Sequence, residues 1–370
     1  MQPKIFFGII TSCLIAILSA CALPTPAPPV PTPTRAAVVQ TQTGAPTNSP
    51  TAVLTPTSTA TATFTPTRTN TPTPTFTPTI HPDLEGVTID GLRAREYQGG
   101  QIRITNTITV TDAYTRTYIT YPSDGLTISG LMHVPFGRGP FPVIIMNHGY
   151  IPPSRYVTGS DTYRPADILA RNGYITISPD FRGYARSDSG LNLFRSGYMI
   201  DALNAAASVK SLPNADPKRI GMWGHSMGGG VTTRAMVVSD LIKAHVLYAP
   251  VSADVRVRRF TGGLSGASES DADLAESYYY WTRKPEIIHD VSPIHYFENV
   301  TAPVQIHIGE IDTTTPPMWS EAIRDELIKQ NKYVEYYAYP RQAHAFIGNG
   351  WTLFNQRVVA FFDKYVKNAK

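Results

Sequence analysis

The sequence predicts an α/β protein with a mostly parallel central sheet, an N-terminal antiparallel hairpin and a small helical insertion. Three observations predict this fold class. Short continuous apolar runs such as "VIIMN", from Val143, are typical of strands covered on both faces. Helical stretches separate these runs, and a period-two alternation precedes them. Strands that alternate with helices imply right-handed crossovers between parallel neighbours, and such sheets gather their chemistry at the carboxyl ends of the strands.

The hairpin is predicted from the segment before residue 135. In "QIRITNTITV" the apolar residues fall on even positions, which indicates a strand. Strands over 115–121 and 126–134 follow. The sequence "SDG" between them is a strong turn signal, so these two strands are expected to pair antiparallel.

From residue 143 onward, strands and helices alternate to the end of the chain. The predicted strands span 143–147, 174–178, 219–223, 244–248, 304–308 and 334–339. The predicted helices span 163–172, 198–212, 227–238, 320–332 and 351–366. We assign residues 83–370 to one domain that contains all of these elements.

Residues 254–295 interrupt the alternation and are predicted to form a helical cap over the carboxyl edge of the sheet. Their acidic run has two interpretations, attraction of a cationic substrate end or a solvated helix start. The aromatic run 278–281 is expected either to line a pocket or to pack the insertion onto the sheet.

Two segments precede the domain. Residues 1–21 have a basic residue, an apolar run and small residues before Cys21, which is the layout of an export signal. The alternatives are an uncleaved anchor and a simple secretory signal. Residues 22–82 are dominated by Pro and Thr and predict an extended stalk without a core. The threonines are possible O-glycan sites, although a plain linker satisfies the same composition.

Composition excludes several classes of function. The net charge is +4, and residues 1–82 carry three basic and no acidic residues, so the domain is nearly neutral. It has no basic block, and no nucleic-acid partner is expected. Both cysteines, Cys13 and Cys21, precede the stalk, which leaves no thiolate ligands in the domain. No metal or nucleotide motif is present, and no cofactor is predicted.

The stretch "RIGMWGHSMGGG" carries the most specific chemistry. It contains Gly-x-Ser-x-Gly around Ser226, after a predicted strand and before a predicted helix. This strand–turn–helix setting is the one that a nucleophile elbow requires. His225, within the motif, is expected to pack beneath the serine.

A serine hydroxyl needs a base, and in this elbow class the acid and then the histidine follow the serine. Asp312 follows the strand over 304–308, and His344 follows the strand over 334–339. Both therefore fall on loops at the same sheet edge as Ser226. Glu310 is the rival acid, and His289 and His295 are the rival bases.

Six ordered blocks make residues 115–370 resemble an α/β-hydrolase, and most closely the catalytic domain of the prolyl oligopeptidase family, which includes dipeptidyl and acylaminoacyl peptidases. The blocks are "YPSDGLTISGLMHVP", "FPVIIMNHGY", "SPDFRGYARSDSG", "DPKRIGMWGHSMGGG", "SPIHYFENVTAPVQIHIGEIDTTTPP" and "YPRQAHAF". The resemblance implies Ser226 as nucleophile, His344 as general base and then acid, and Asp312 as the group that orients the imidazole. It also implies an oxyanion hole made by the backbone N–H groups of Met227 and Tyr150.

The ending "LSAC" of the first segment resembles the lipobox of bacterial lipoproteins. That resemblance implies that the Cys21 thiol carries a diacylglycerol, that the signal is cut before Cys21 and that the new amine is acylated. It also implies membrane anchoring and an extracytoplasmic location.

The predicted function is a serine hydrolase that acts through an acyl-enzyme on a small peptide or ester substrate, with a peptidase as the main interpretation. A carboxylesterase without peptidase activity is the alternative. Met227 and His148 stand where many of those peptidases carry Tyr, and "GHSMGG" is common among esterases and lipases. A non-catalytic binding module is the third possibility, which the intact order of serine, acid and histidine disfavours. The sequence does not indicate an oligomeric state.

Overall fold

The computed structural model describes residues 82–260 and 285–368. The predicted signal segment with Cys21 and residues 22–81 of the predicted stalk lie outside the described residues. So does the middle of the predicted cap, residues 261–284, with its acidic and aromatic runs. None of the helices in the described ranges combines the length and apolar character needed to cross a bilayer.

The described residues form one sheet of nine strands. The strands are β1 (Arg103–Val110), β2 (Tyr114–Ser123), β3 (Leu126–Pro135), β4 (Phe141–Asn147), β5 (Ile175–Pro179), β6 (Ala215–His225), β7 (Ala244–Tyr248), β8 (Val304–Gly309) and β9 (Val334–Tyr339). Their spatial order is β1-β2-β3-β5-β4-β6-β7-β8-β9. The pairs β1–β2, β2–β3 and β3–β5 are antiparallel, and all pairs from β5–β4 to β8–β9 are parallel.

Helices connect the parallel strands. The α-helices of the described ranges are α1 (Pro82–Glu85), α2 (Ile89–Ala94), α3 (Tyr163–Arg171), α4 (Ser196–Ser208), α5 (Met227–Val238), α6 (Val255–Phe260), α7 (Ile287–Val291), α8 (Pro317–Lys329) and α9 (Gly348–Phe362). Short 3₁₀ turns span Pro153–Arg155, Leu193–Arg195, Val209–Ser211 and Pro293–Asn299, and a π-turn spans Asp363–Lys367.

Helices cover both faces of the sheet, as the continuous apolar strands predict. Along β6, Ile220 and Met222 belong to the core beneath α4, α5 and α8. Trp223 points to the opposite face and belongs to the core beneath α3 and α9. The period-two geometry of one strand thus divides the interior into two apolar layers.

The N-terminal antiparallel region is larger than the predicted hairpin, because β1 and β5 pair with its two sides. The turn between β2 and β3 has positive φ at Asp124 (52°) and Gly125 (80°). Positive φ at both central residues matches the twist of paired strands. The alternation of apolar and polar residues in β1 correctly predicts a strand, but neither face of this strand is buried. Ile104 and Val110 are 58% and 66% exposed.

The two described ends of the cap insertion are helical, as predicted, and pack on the start of the domain. Ile287, Ile288 and Val291 of α7 form an apolar cluster with Leu84 and Val87. This cluster fixes the base of the insertion next to the N-terminal helices.

Candidate active site

The turn between β6 and α5 has the strained backbone of a nucleophile elbow. Ser226 has φ 55° and ψ −115°, a conformation that side chains rarely adopt. The flanking glycines make the turn possible. A Cβ on Gly224 would overlap the Gly228 carbonyl oxygen, and a Cβ on Gly228 would overlap the Asn147 carbonyl oxygen. The glycines at 224 and 228 therefore allow the tight turn on which Ser226 lies.

Hydrogen bonds from the neighbouring loop hold this turn in place. The Ser226 N–H donates to the Tyr248 carbonyl at 2.9 Å, and the Val251 N–H donates to the Ser226 carbonyl at 3.1 Å. The serine side chain lies at the N-terminus of α5, where the helix dipole favours developing negative charge.

Asp312 lies just beyond β8 and is 3% exposed. Its Oδ1 accepts the N–H groups of Thr314 (2.8 Å) and Thr315 (2.9 Å), and its Oδ2 accepts the Thr315 hydroxyl at 2.8 Å. Burial raises the pKa of Asp312, but the hydrogen bonds from His344 and Thr315 outweigh it and hold the pKa below its usual value. The carboxylate is therefore charged at neutral pH.

His344 lies just beyond β9, and its Nδ1–H donates to Asp312 Oδ2 at 2.8 Å. This bond selects the tautomer in which Nε2 carries the lone pair of a base. Within the described residues, the Ser226 hydroxyl makes no hydrogen bond to the imidazole. In hydrolases without bound substrate, this contact is often long and tightens in the substrate complex.

The two predicted oxyanion donors are unpaired in the described part of the chain, since the N–H groups of Met227 and Tyr150 reach no acceptor there. His148 fixes the peptide group that carries the Tyr150 N–H, because its Nδ1–H donates to the Gly149 carbonyl at 2.7 Å. The His148 ring is fully buried among aromatic rings, and burial lowers its pKa to about 4. His148 therefore shapes the loop as a neutral ring.

A second Asp–His pair, which the sequence analysis did not identify, adjoins the serine. Asp161 accepts the Gly149 N–H at 2.6 Å and the His225 Nδ1–H at 2.9 Å. The His225 Nε2 lies 3.2 Å from the His344 carbonyl oxygen, and the two imidazole rings are 4.7 Å apart. His225 thus links the loop of Asp161 to the loop of His344.

Both ring nitrogens of His225 face acceptors, so the doubly protonated ring satisfies both contacts. Burial lowers the pKa of His225, but the Asp161 carboxylate outweighs it and raises that pKa above 6.5. For Asp161, burial raises the pKa. The His225 imidazolium and the Gly149 N–H have the larger, opposite effect, so the pKa of Asp161 is lowered. No local motif identified Asp161, because it lies in a loop remote in sequence from His225.

The rival groups are not part of the Asp312–His344 pair. Glu310 is exposed, whereas Asp312 is buried against His344. His289 stacks on His295 with ring centroids 4.3 Å apart, and its Nδ1 contacts Asp290. His344, and neither His289 nor His295, is therefore the histidine that is paired with Asp312.

Comparison with known proteins gives a consistent assignment. Residues 162–369 match the model of the prolyl oligopeptidase family. A Bacillus subtilis protein named "Uncharacterized peptidase YuxL" is 28% identical over 232 residues, which cover 60% of this chain and 34% of that protein. The chain therefore spans about a third of that relative's length.

Solved structures agree in fold. Pyrococcus horikoshii acylaminoacyl peptidase superposes with a TM-score of 0.56 at 21% identity, over 70% of this chain and 43% of that chain. Acetyl xylan esterase 1 from Thermoanaerobacterium also gives 0.56, at 17% identity, over 75% of this chain and 92% of that chain. The fold is that of the α/β-hydrolases. Since the family match covers more than half of the 370 residues, the chain belongs to the prolyl oligopeptidase family.

Proposed function

We propose that this chain is a serine hydrolase that forms an acyl-enzyme on Ser226. The observation that carries the proposal is the Asp312–His344 pair at 2.8 Å, on loops at the same sheet edge as the strained elbow. The pair supplies an oriented base, and the elbow presents a hydroxyl. The N–H groups of Met227 and Tyr150 have no acceptor among residues 82–260 and 285–368.

In this mechanism, the Ser226 oxygen attacks the substrate carbonyl carbon while His344 Nε2 takes the hydroxyl proton. The carbonyl oxygen becomes negative and is stabilised by the N–H groups of Met227 and Tyr150. His344 then gives its proton to the leaving group as the bond to the acyl carbon breaks. Water then attacks the acyl carbon while His344 takes its proton. His344 returns this proton to the Ser226 oxygen as the acyl bond breaks. Asp312 keeps the imidazole oriented and stabilises its charged form.

A peptide is the proposed main substrate. The family assignment supports this choice, as does the similarity to a Bacillus subtilis protein whose name describes it as a peptidase. The acylaminoacyl peptidase fold match points in the same direction.

Ester hydrolysis without peptidase activity is the second candidate function. It is favoured by the match to acetyl xylan esterase 1, because this chain covers 92% of that enzyme but only 43% of the acylaminoacyl peptidase. The alignment thus includes nearly the whole length of that esterase.

A fluorophosphonate probe tests the nucleophile. We expect the full chain to be labelled and Ser226→Ala to lose the label, while Ser239→Ala, at the far end of α5, keeps it. Labelling of Ser226→Ala at the original rate would refute the assignment. A panel of peptidyl anilides and short-chain aryl esters then separates the two functions, since a pure esterase turns over only the esters.

We also propose export and anchoring through a lipidated Cys21. The support is the sequence "LSAC" alone. Cys21→Ala should move the protein from the membrane fraction to the soluble fraction, whereas Cys13→Ala should leave it in the membrane. Full membrane retention of Cys21→Ala would instead indicate an uncleaved anchor.

A further inference from the structure

A cavity of about 550 Å³ lies beside the Asp161–His225 pair. Ala345 and Phe346, which directly follow His344, form part of its wall, and Tyr163 and Arg164 at the start of α3 form another part. The cavity therefore borders the loop that carries the proposed general acid.

The cavity is also close to the proposed nucleophile. A Cβ built on Gly149 would lie 3.0 Å from Asp161 Oδ2 and 3.4 Å from the Ser226 Cβ. The Asp161 carboxylate and the Ser226 side chain thus both pack against Gly149. The cavity wall includes His225, the residue before Ser226, and Ala345, the residue after His344, so the cavity adjoins both proposed catalytic groups.

Two guanidinium groups line this cavity without a carboxylate partner among residues 82–260 and 285–368. Arg116 stacks over the Tyr163 ring at 4.8 Å and donates one hydrogen bond, to the Thr109 hydroxyl at 3.0 Å. Arg164 stacks over the Trp351 ring at 4.8 Å. A guanidinium that contacts a ring face through its carbon still has N–H donors that can bind a planar carboxylate.

The charge balance of the cavity favours an anion. Among the described lining residues Asp161 is the one carboxylate; it is paired with the His225 imidazole and accepts the Gly149 N–H. By contrast, the charge of Arg182 is compensated within the fold, because Arg182 forms a buried ion pair with Asp201 at 2.8 Å. The charges of Arg116 and Arg164 remain available to a ligand.

We propose that this cavity binds a carboxylate on the leaving portion of the substrate, with Arg116 and Arg164 as its recognition groups. The proposal rests on the serine hydrolase function proposed above, because the leaving portion is defined by His344 as its proton donor. The apolar part of the leaving group would lie against Ile108, Leu131 and Trp351 in the same cavity.

Binding can be tested without turnover. The full chain carrying Ser226→Ala is titrated with 4-hydroxybenzoate and with 4-hydroxybenzamide, a neutral molecule of the same shape, by calorimetry and by tryptophan fluorescence. We expect the carboxylate to bind about tenfold more tightly, equivalent to about 1.4 kcal/mol. Adding Arg116→Gln or Arg164→Gln should remove most of this preference. Arg138→Gln, on an exposed loop before β4, should leave it intact.

Equal affinity for the two molecules, or a preference that survives both arginine substitutions, would overturn the proposal. Hydrolysis of 4-acetoxybenzoate and 4-acetoxybenzamide by the chain with Ser226 intact gives the kinetic counterpart. The arginine variants should raise KM about tenfold for the anionic ester only. Labelling of Ser226 by the probe does not depend on these arginines. A failed carboxylate test with normal labelling would therefore reject this proposal and leave the proposed function standing.

Discussion

Replacing Asp161 with alanine removes a carboxylate that holds two parts of the candidate site at once. The change deletes the acceptor of the Gly149 N–H (2.6 Å) and of the His225 Nδ1–H (2.9 Å). Hydrogen bonds to a charged group contribute about 1.5–3 kcal/mol each. The Asp161 side chain is 23% exposed, so water replaces part of this loss. We expect the free energy of unfolding to fall by about 2 kcal/mol.

The same substitution should slow the chemistry, because Gly149 positions the peptide group that presents the Tyr150 N–H. Loss of an oxyanion donor costs about 2.7–4 kcal/mol, and a misplaced donor costs a fraction of that. We expect kcat and the rate of fluorophosphonate labelling to fall roughly tenfold, with KM nearly unchanged. Asp161→Asn, which keeps one oxygen for the Gly149 N–H, should recover part of the rate.

Asp112→Ala is the matched control, since Asp112 forms an exposed ion pair with Arg171 far from the elbow. It should change neither the labelling rate nor, by more than a few tenths of a kcal/mol, the stability. An Asp161→Ala protein that loses stability but labels at the original rate would refute the positioning role and leave only a structural one.

The pH dependence of stability provides a further readout of this pair. The folded pKa of His225 is raised above 6.5, so its contribution is complete below about pH 6.5 and is lost as pH rises through the raised value. The folded pKa of Asp161 is lowered below 3.8, so its contribution is complete above about pH 4 and is lost at lower pH. The melting-temperature gap between the unsubstituted protein and Asp161→Asn should be largest between these limits and shrink at higher pH.

Three more substitutions test the elbow and the acid. Gly228→Ala should lower the unfolding free energy in urea by about 3 kcal/mol or more, because its Cβ would overlap the rigid Asn147 carbonyl; an unchanged urea midpoint would contradict the close packing. Ser226→Gly should be about 1 kcal/mol more stable than Ser226→Ala, because glycine adopts φ 55° without strain; equal melting temperatures would argue against strain at this turn. Asp312→Asn should reduce kcat by roughly 10⁴-fold, because an amide stabilises the wrong tautomer of His344; kcat within tenfold of the original would exclude Asp312 as the orienting acid.

Much of the fold could be predicted from the sequence because its signals are local. The helix Met227–Val238 and the strands Ala244–Tyr248 and Val334–Tyr339 coincide with the predicted boundaries. Glycine spacing around Ser226 predicted the turn, since the need for small residues there arises within five positions of the chain. Element ends were less predictable. Strand β6 begins at Ala215, four residues before its predicted start, because pairing with β4 extends it.

Asp312 and His344 were identifiable because each follows a buried strand, and parallel strands end at one edge. Their assigned roles remain proposals, supported by the bond between them.

The chain by itself therefore determined the strand–helix alternation and the elbow, which depend on residues close in sequence. It also determined the order of serine, acid and histidine, because each of the three follows a recognisable strand. Only the tertiary structure decided which distant side chains support them. It placed Asp161 against His225 and Gly149, and it left Arg116 and Arg164 beside one cavity with no carboxylate partner among the described residues. These contacts join residues on separate loops and strands, and their energies depend on burial and distance, which no local pattern of residues encodes.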